Sequence, residues 1–333
     1  MVSEQATTSK PKLWGWWTRL DKDRRQILVA YSMVLVLIVL GTWTVSPEFA
    51  STEFLALQLL KASILGTVVA GQMIVILTGN IDLSVSWTMN LAAVLATSFA
   101  LGQDDRLGAG IAIGLGFGLL VGFANGFLVA YLRIPSMVCT LGINALLKGI
   151  LVFYTGTQPL YGNASPILNT ISHHFIGGIV PVVALIWLVV SIFMLVLLNR
   201  TAFGRATYAV GNNPIATYLS GINVRHALLG VYLVNGLFNA LAGILLAGYS
   251  GRSFNEMGEP FQFPAIAAVV VGGVSILGGS GHYLGAVAGV LIITLLDSGL
   301  SIMQMSPAGR LVIYGLVVLM MLLVYGRGQK MRA

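Results

Sequence analysis

Four ionisable side chains stand within or beside long apolar runs of the sequence, where a charge is costly unless it has a partner or water. Asp82 stands at the start of such a run, so we expect its carboxylate to cap the helix that follows. Asp297 lies in the middle of its run and is predicted to face the interior of a helix bundle or a wet path. Lys61 and Lys148 lie near the ends of theirs, where a long side chain can reach water.

Amide side chains form a second group of candidates inside the apolar runs. They are Asn90, Asn125, Asn144, Asn235 and Asn239. Sugar hydroxyls bind to amide, hydroxyl and aromatic groups, so we take these five, with Asp82 and Asp297, as candidates for the lining of a substrate path. Asparagine also joins membrane helices by interhelical hydrogen bonds, and for any single one of them this packing role is the more common.

Motifs for ATP and metal chemistry are absent from the sequence. There is no G-x-x-x-x-G-K-[ST] phosphate-binding loop, so the chain is not expected to bind or hydrolyse ATP itself. The four histidines form no HExxH pattern, and the single cysteine, Cys139, allows no intrachain disulfide. We therefore expect no catalytic residue, no metal site and no cofactor in this chain.

Composition places the candidates in an all-α membrane protein. Of 333 residues 57% are hydrophobic and 9% are charged, against about 25% charged in ordinary soluble domains. A membrane span needs about 20 mainly apolar residues. Ten runs meet this approximately: 27–45, 55–78, 84–101, 108–132, 136–155, 177–198, 226–249, 264–278, 282–301 and 309–325.

The basic residues predict how these spans are oriented. With the N-terminus inside, the inner segments hold 13 Lys and Arg and the outer segments hold 3. The positive-inside rule therefore favours ten spans with both termini cytoplasmic. The domains are then a basic tail over 1–26, a transmembrane domain over 27–326 and a short tail over 327–333. Orientation in lipid explains the net charge of +7, so no nucleic-acid partner is expected.

Two glycine-containing segments interrupt the helical pattern. One is TGNIDLS at 78–84, and the other is GGVSILGGSG at 272–281. Non-helical backbone at membrane depth persists only where it is packed in protein or lines a cavity. Broken helices in two halves of a chain indicate a transport path, and short loops between hairpin helices are the alternative.

The segment 199–225 is polar and basic between two apolar runs and has its own helix signals. Asn212 or Asn213 can cap a helix, Pro214 suits its first position, and Gly221 suits the left-handed residue after its last turn. A helix of about two turns would place apolar side chains on one face. Those side chains are Ile215, Tyr218, Leu219 and Ile222. The segment is either a helix lying on the lipid interface or a docking element for a soluble partner.

This segment resembles the cytoplasmic coupling segment of bacterial ABC importer permeases for monosaccharides, of the ribose and autoinducer-2 type. The positions that match are Thr201, Gly204, Arg205, Ala209, Gly211, Asn213, Ala216, Gly221, Ile222 and Val224. The resemblance runs from about Leu55 onwards and includes ILTGNIDLSVS at 76–86, AIAAVVVGG at 265–273 and LGGSG at 277–281. It implies an ATPase-coupling role for Arg205, Gly211, Asn213, Pro214, Ala216 and Gly221.

The chain departs from the ribose-type pattern at a few positions. Phe261-Gln262-Phe263-Pro264 stands where Tyr-Glu-Leu-Asp is usual, so two acids are missing. Ser298 replaces an Asn, and Ser86 replaces a Gly. A similar F-x-x-P-A-I form occurs in some autoinducer-2 and deoxysugar-type permeases. The departures concern which substrate is carried.

The resemblance implies a ten-helix ABC importer permease of the bacterial inner membrane, for a monosaccharide or related polyol. It also implies an ABC ATPase subunit that holds ATP–Mg, a periplasmic sugar-binding protein, a second permease subunit (identical or different) and surrounding lipid as partners. A permease for branched-chain amino acids or nucleosides of the same superfamily is one alternative. An ion-coupled secondary transporter is another, for which Asp82 and Asp297 would be the coupling acids. A membrane enzyme would need a nucleophile–base or metal constellation that the sequence lacks.

Overall fold

A computed structural model of the chain describes residues 22–155 and 162–326, and thirteen α-helices make up most of these ranges. In chain order the helices α1 to α13 are Lys22–Thr44, Thr52–Leu77, Val85–Ala100, Leu107–Ala130, Ser136–Thr155, Pro166–His173, Val182–Arg200, Ala202–Asn212, Pro214–Leu219, Val224–Ser250, Glu259–Val271, Tyr283–Ile302 and Pro307–Gly326. A 3-10 turn at Pro47–Ala50 precedes α2. A two-stranded antiparallel hairpin pairs Phe175–Ile176 with Val180–Pro181 before α7.

Seven of the described helices are long and apolar enough to cross a membrane. They are α1, α2, α4, α5, α7, α10 and α12. Two shorter apolar helices, α3 and α11, of 16 and 13 residues, and the 20-residue α13 stand where the other predicted spans lie. Each of the ten predicted spans therefore has a helix, but two of these helices are short, so the predicted count is matched only approximately.

The eighth predicted span, 264–278, does not form one membrane-crossing helix. Helix α11 has 13 residues, which is about 20 Å at 1.5 Å per residue and too short for a hydrocarbon core of about 30 Å. The backbone leaves the helix at Gly272, where a Cβ would overlap the Gly285 carbonyl of α12. The close approach of the two helix backbones therefore ends α11 before the apolar run of the sequence ends.

Helix α2 is the centre of the bundle. Nineteen of its 26 residues are buried, and they pack against α7, α10, α11 and α12. A helix that is apolar around its whole circumference is expected to occupy such a core position. Small residues allow the close contacts, since Gly71 of α2 lies against Asn235 and Gly122 of α4 lies against the Tyr232 carbonyl.

Both predicted glycine interruptions are present as non-helical segments. The first follows Leu77, with Gly79 at a φ of +76°, and the second follows Val271, with Gly273, Gly278 and Gly279 at φ of +86°, +85° and +75°. Only glycine adopts such angles readily. We call these two segments, 78–84 and 272–281, the glycine breaks.

The predicted tails fall largely outside the described residues. Helix α1 begins at Lys22, within the predicted tail 1–26. The rest of the tail 1–26 and the whole of 327–333 lie outside the ranges that the structure describes.

Candidate functional site

Helices α8 and α9 form a bent pair whose local chemistry explains its boundaries. The Thr201 hydroxyl accepts the Gly204 N–H at 3.1 Å and starts α8. Asn213 ends α8, where its backbone N–H donates to the Ala209 carbonyl at 3.0 Å. Its side-chain oxygen starts α9 by accepting the N–H groups of Ile215 and Ala216, both at 3.0 Å. Pro214 occupies the first turn, and Gly221 has a φ of +83°. The helix predicted from these caps is confirmed.

The outer face of α9 is apolar and uncovered by the rest of the described chain. Ile215, Tyr218 and Leu219 are 74%, 70% and 79% exposed. Ile222, predicted on the same face, is half-buried and turns into a groove of about 500 Å³ beside α8. Arg205, Phe203 and His226 are among the groove's lining residues. Ala216 is exposed on the helix, and Arg205 is exposed at the edge of the groove.

The C-terminal end of α8 lies against both glycine breaks. The Tyr208 hydroxyl donates to the Gly281 carbonyl at 2.8 Å, and the Asn212 amide donates to the Gly279 carbonyl at 3.1 Å. The Gly279 N–H in turn donates to the Leu77 carbonyl at 2.9 Å. A Cβ on Gly211 would overlap that carbonyl and the Gly279 nitrogen. We call this three-way contact the glycine joint, and it links α8 to the end of α2 and to the part of the second glycine break that precedes α12.

Four of the predicted path residues meet in one buried polar cluster. The Asp82 carboxylate accepts the Ser84 N–H at 2.7 Å, the Ser84 hydroxyl at 2.6 Å and the Asn235 amide. Asn125 donates to the Ser84 hydroxyl at 2.8 Å, and Asn239 donates to Asn235 at 3.3 Å. The whole group, the Asp82 cluster, is at least 98% buried, so it joins α3, α4 and α10 as packing amides do.

The prediction that Asp82 caps helix α3 is wrong. Ser84 is the N-cap residue of α3, and its side chain makes no capping bond to that helix. Asp82 stands two residues earlier and turns inward towards Asn235 of α10. Its carboxylate therefore fixes the first glycine break to the neighbouring helix and does not satisfy the helix end.

The other three predicted path residues lie elsewhere. Asn144 accepts a hydrogen bond from Ser86, which also contacts Gln262. Asn90 is fully buried, and neither its oxygen nor its nitrogen has a hydrogen-bond partner in the described part of the chain. Asp297 is ion-paired with Arg310 of α13 at 2.8 Å, accepts the Tyr314 hydroxyl, and has a side chain that is 39% exposed.

The partner expected for the charge of Asp297 is therefore present, but the structure does not bring Asp297 together with the other candidates. Nor did the sequence single out Ser86 and Gln262 as site residues. The available signal was that both positions depart from the ribose-type pattern, and the structure shows that these two departures contact each other.

The many long apolar helices, joined after α2 and α11 by the glycine breaks, are typical of a multi-pass membrane protein. Residues 54–323 match the family described as branched-chain amino acid transport system, permease component, and the chain belongs to this family. It is similar to the ribose import permease of Bacillus subtilis strain 168, at 35% identity over 87% of this chain and 90% of that one. This confirms the resemblance to sugar-type importer permeases.

Two further relatives have similar coverage. The autoinducer 2 import system permease of Klebsiella pneumoniae is 36% identical over 91% of this chain and 87% of its own length. The fructose import permease of Rhizobium meliloti is 35% identical over 86% of this chain and 81% of its own. No solved structure shows a significant match to the chain.

Proposed function

We propose that this chain is the permease subunit of an ABC importer that carries a monosaccharide or a related polyol across the bacterial inner membrane. The names of the relatives support it, since they import ribose, autoinducer 2 and fructose. In this assignment the chain is non-catalytic and binds no cofactor. An ABC ATPase holds ATP–Mg, a periplasmic sugar-binding protein delivers the substrate, and a second permease subunit, identical or different, completes the path.

The observation that carries the proposal is the bent pair α8–α9. Exposed apolar side chains of this size on a short polar segment mark a surface that contacts another protein or the membrane. Ile215, Tyr218 and Leu219 supply that surface at one end of the pair. At the other end Gly211 fits into the glycine joint. A partner that pulls or pushes α9 would therefore move both glycine breaks at once.

The proposed mechanism follows from this linkage. ATP binding closes the two ATPase subunits, and their motion displaces α9 together with α8. The glycine joint passes this displacement to the end of α2 and to the second glycine break before α12, which shift the paired bundles between inward-facing and outward-facing states. A change of this kind requires only that the ATP-bound partner binds one of the two states more tightly.

Substitution Ala216→Glu tests the docking role. A carboxylate on this face would be buried against the ATPase without a partner, which is strongly unfavourable, so we expect uptake at least about tenfold lower and loss of the co-purified ATPase. Gln103→Glu, an exposed residue of the α3–α4 loop, is the matched control and should behave as wild type. Normal ATPase retention and uptake in Ala216→Glu would support a helix that lies on lipid and would contradict the docking role.

The family's description favours one second candidate, a permease for branched-chain amino acids. Titration of the cognate periplasmic binding protein with ribose, fructose and leucine distinguishes the two. Heat released by ribose or fructose supports the sugar assignment. Binding of leucine alone would replace it.

A further inference from the structure

A second polar contact joins three helices away from the Asp82 cluster. The Ser86 hydroxyl of α3 lies 3.1 Å from the Asn144 side-chain oxygen of α5 and 2.8 Å from the Gln262 side-chain oxygen of α11. Ser86 is buried, while Asn144 and Gln262 are half-buried. We call these three residues the amide triad.

The amide triad has hydrogen-bonding capacity that the protein does not use. A serine hydroxyl has one proton, so it can donate to only one of the two amide oxygens at a time. The NH₂ groups of Asn144 and Gln262 form no hydrogen bond within the described residues. Whichever way the two amides are turned, the single hydroxyl satisfies only part of them, so the triad keeps spare donors and a spare acceptor.

Asn90 extends the same face of α3. It lies four residues beyond Ser86, which places the two side chains one above the other on a helix. Asn90 is 0% exposed and both ends of its amide are unpaired within the described chain. An unpaired buried amide is unfavourable, and native proteins rarely keep one without a reason. A bound group that both donates and accepts would satisfy Asn90 and the triad together.

An ionic contact lies about one turn from the triad along α5 and at the start of α11. Lys148, four residues after Asn144 on α5, lies 3.3 Å from both Glu256 and Glu259, and its ammonium is 5.2 Å from the centre of the Trp87 ring. The three charged side chains are 44% to 57% exposed. Exposed ion pairs contribute little stability, so this bridge can open without disrupting the fold.

We propose that the amide triad and Asn90 form a subsite of the transport path that binds the hydroxyl groups of a neutral, polyhydroxylated ligand, and that the Lys148 bridge closes it. A hydroxyl both donates and accepts, which matches a site with spare amide donors and a spare acceptor. The four residues carry no charge, so a neutral ligand fits them. Helix α5 reaches α11 here through side chains, so the subsite opens when α5 moves away.

The inference rests on the proposed sugar-import function, and its test uses the complete importer. Permease, ATPase and periplasmic binding protein are reconstituted in liposomes, with radiolabelled D-ribose and D-fructose as probes. Gln262→Leu and Asn90→Leu remove the amides at similar volume. We expect uptake about fivefold lower in each variant, the effect of one lost hydrogen bond.

Thermal unfolding supplies a second readout for Asn90. Because its amide is unpaired, leucine should leave the unfolding midpoint unchanged or raise it. Reduced uptake with unreduced stability supports a ligand-binding residue. The matched control is Asn169→Leu in α6, whose amide donates to the Gly248 carbonyl at 3.4 Å, and it should retain wild-type uptake.

Three results would overturn the subsite. Wild-type uptake by both Gln262→Leu and Asn90→Leu would do so while leaving the proposed function intact. An equal fall in uptake in Asn169→Leu would show that the loss of any asparagine lowers uptake, whether or not it belongs to the subsite. If the wild-type complex takes up leucine and neither sugar, the proposed function fails and the subsite fails with it.

Discussion

The Asp82 carboxylate is held entirely by donors. Its two oxygens accept hydrogen bonds from the Ser84 N–H, the Ser84 hydroxyl and the Asn235 amide, and its side chain is buried. A carboxylate accepts at both oxygens, whereas an asparagine side chain must present NH₂ at one of them. The residue at position 82 is therefore expected to be an aspartate, because its neighbours present donors to both side-chain oxygens.

Substitution Asp82→Asn is predicted to destabilise the protein although it removes a buried charge. One NH₂ would face another donor, at a cost of about 1–3 kcal/mol for the unsatisfied group. The measurement is the thermal unfolding midpoint of the purified permease in detergent. Asp105→Asn, at an exposed position, is the control and should unfold like the wild type. An unchanged midpoint in Asp82→Asn would mean that the charge and its acceptors contribute nothing net.

Residue type alone could identify the polar candidates but not their grouping. Asn125 and Asn235 are far apart in the sequence and meet at Ser84 and Asp82. Asn90, of the same type and equally buried, meets neither. Which amides meet depends on how each helix is rotated about its axis, and that is set by packing at glycine contacts such as Gly71 against Asn235.

Helix α9 could be predicted because its limits are set by neighbouring residues. Asn213, Pro214 and Gly221 each act within a few positions of the helix end. The end of α11 could not be predicted, since the sequence stays apolar through Val271 and the helix stops where Gly272 meets Gly285 of another helix. Helix α6 and the hairpin after it were missed because they are short and lie between apolar runs.

Substitution Gly211→Ala tests the glycine joint as a mechanical element. The added methyl would overlap backbone atoms, which cannot move aside as the end of a flexible side chain can. We expect the ATPase to remain bound, because α9 is untouched, while uptake falls about tenfold, as misplacement of a moving element commonly causes.

The matched control is Gly116→Ala in α4, where an added Cβ meets nothing within 4 Å. It should show wild-type uptake and a wild-type complex. Full uptake by Gly211→Ala would refute transmission through the joint. If the ATPase also fails to co-purify with Gly211→Ala, the substitution impairs docking, and the transmission is not tested separately from it.

The whole bundle is expected to have both termini in the cytoplasm, on the strength of the 13-to-3 distribution of basic residues. In a Cys139→Ser background, a cysteine at Asp105 should react with an impermeant thiol reagent applied to cells from which the outer membrane has been removed. A cysteine at Gln329 should react only after the inner membrane is opened. Reaction of both in unopened cells would contradict the ten-crossing arrangement.

The glycine joint contains a phenol, a side-chain amide and backbone groups but no ion. Dissolved salt screens charges over a Debye length of about 10 Å at 0.1 M and about 3 Å at 1 M, and it has no comparable action on neutral hydrogen bonds. The Lys148 bridge is ionic and half-exposed. Higher ionic strength should therefore weaken the closure around the amide triad and leave the transmission from α8 unchanged. Transport should then depend on the salt concentration in the aqueous compartment that contacts the Lys148 bridge, and not on that in the compartment on the side of the glycine joint.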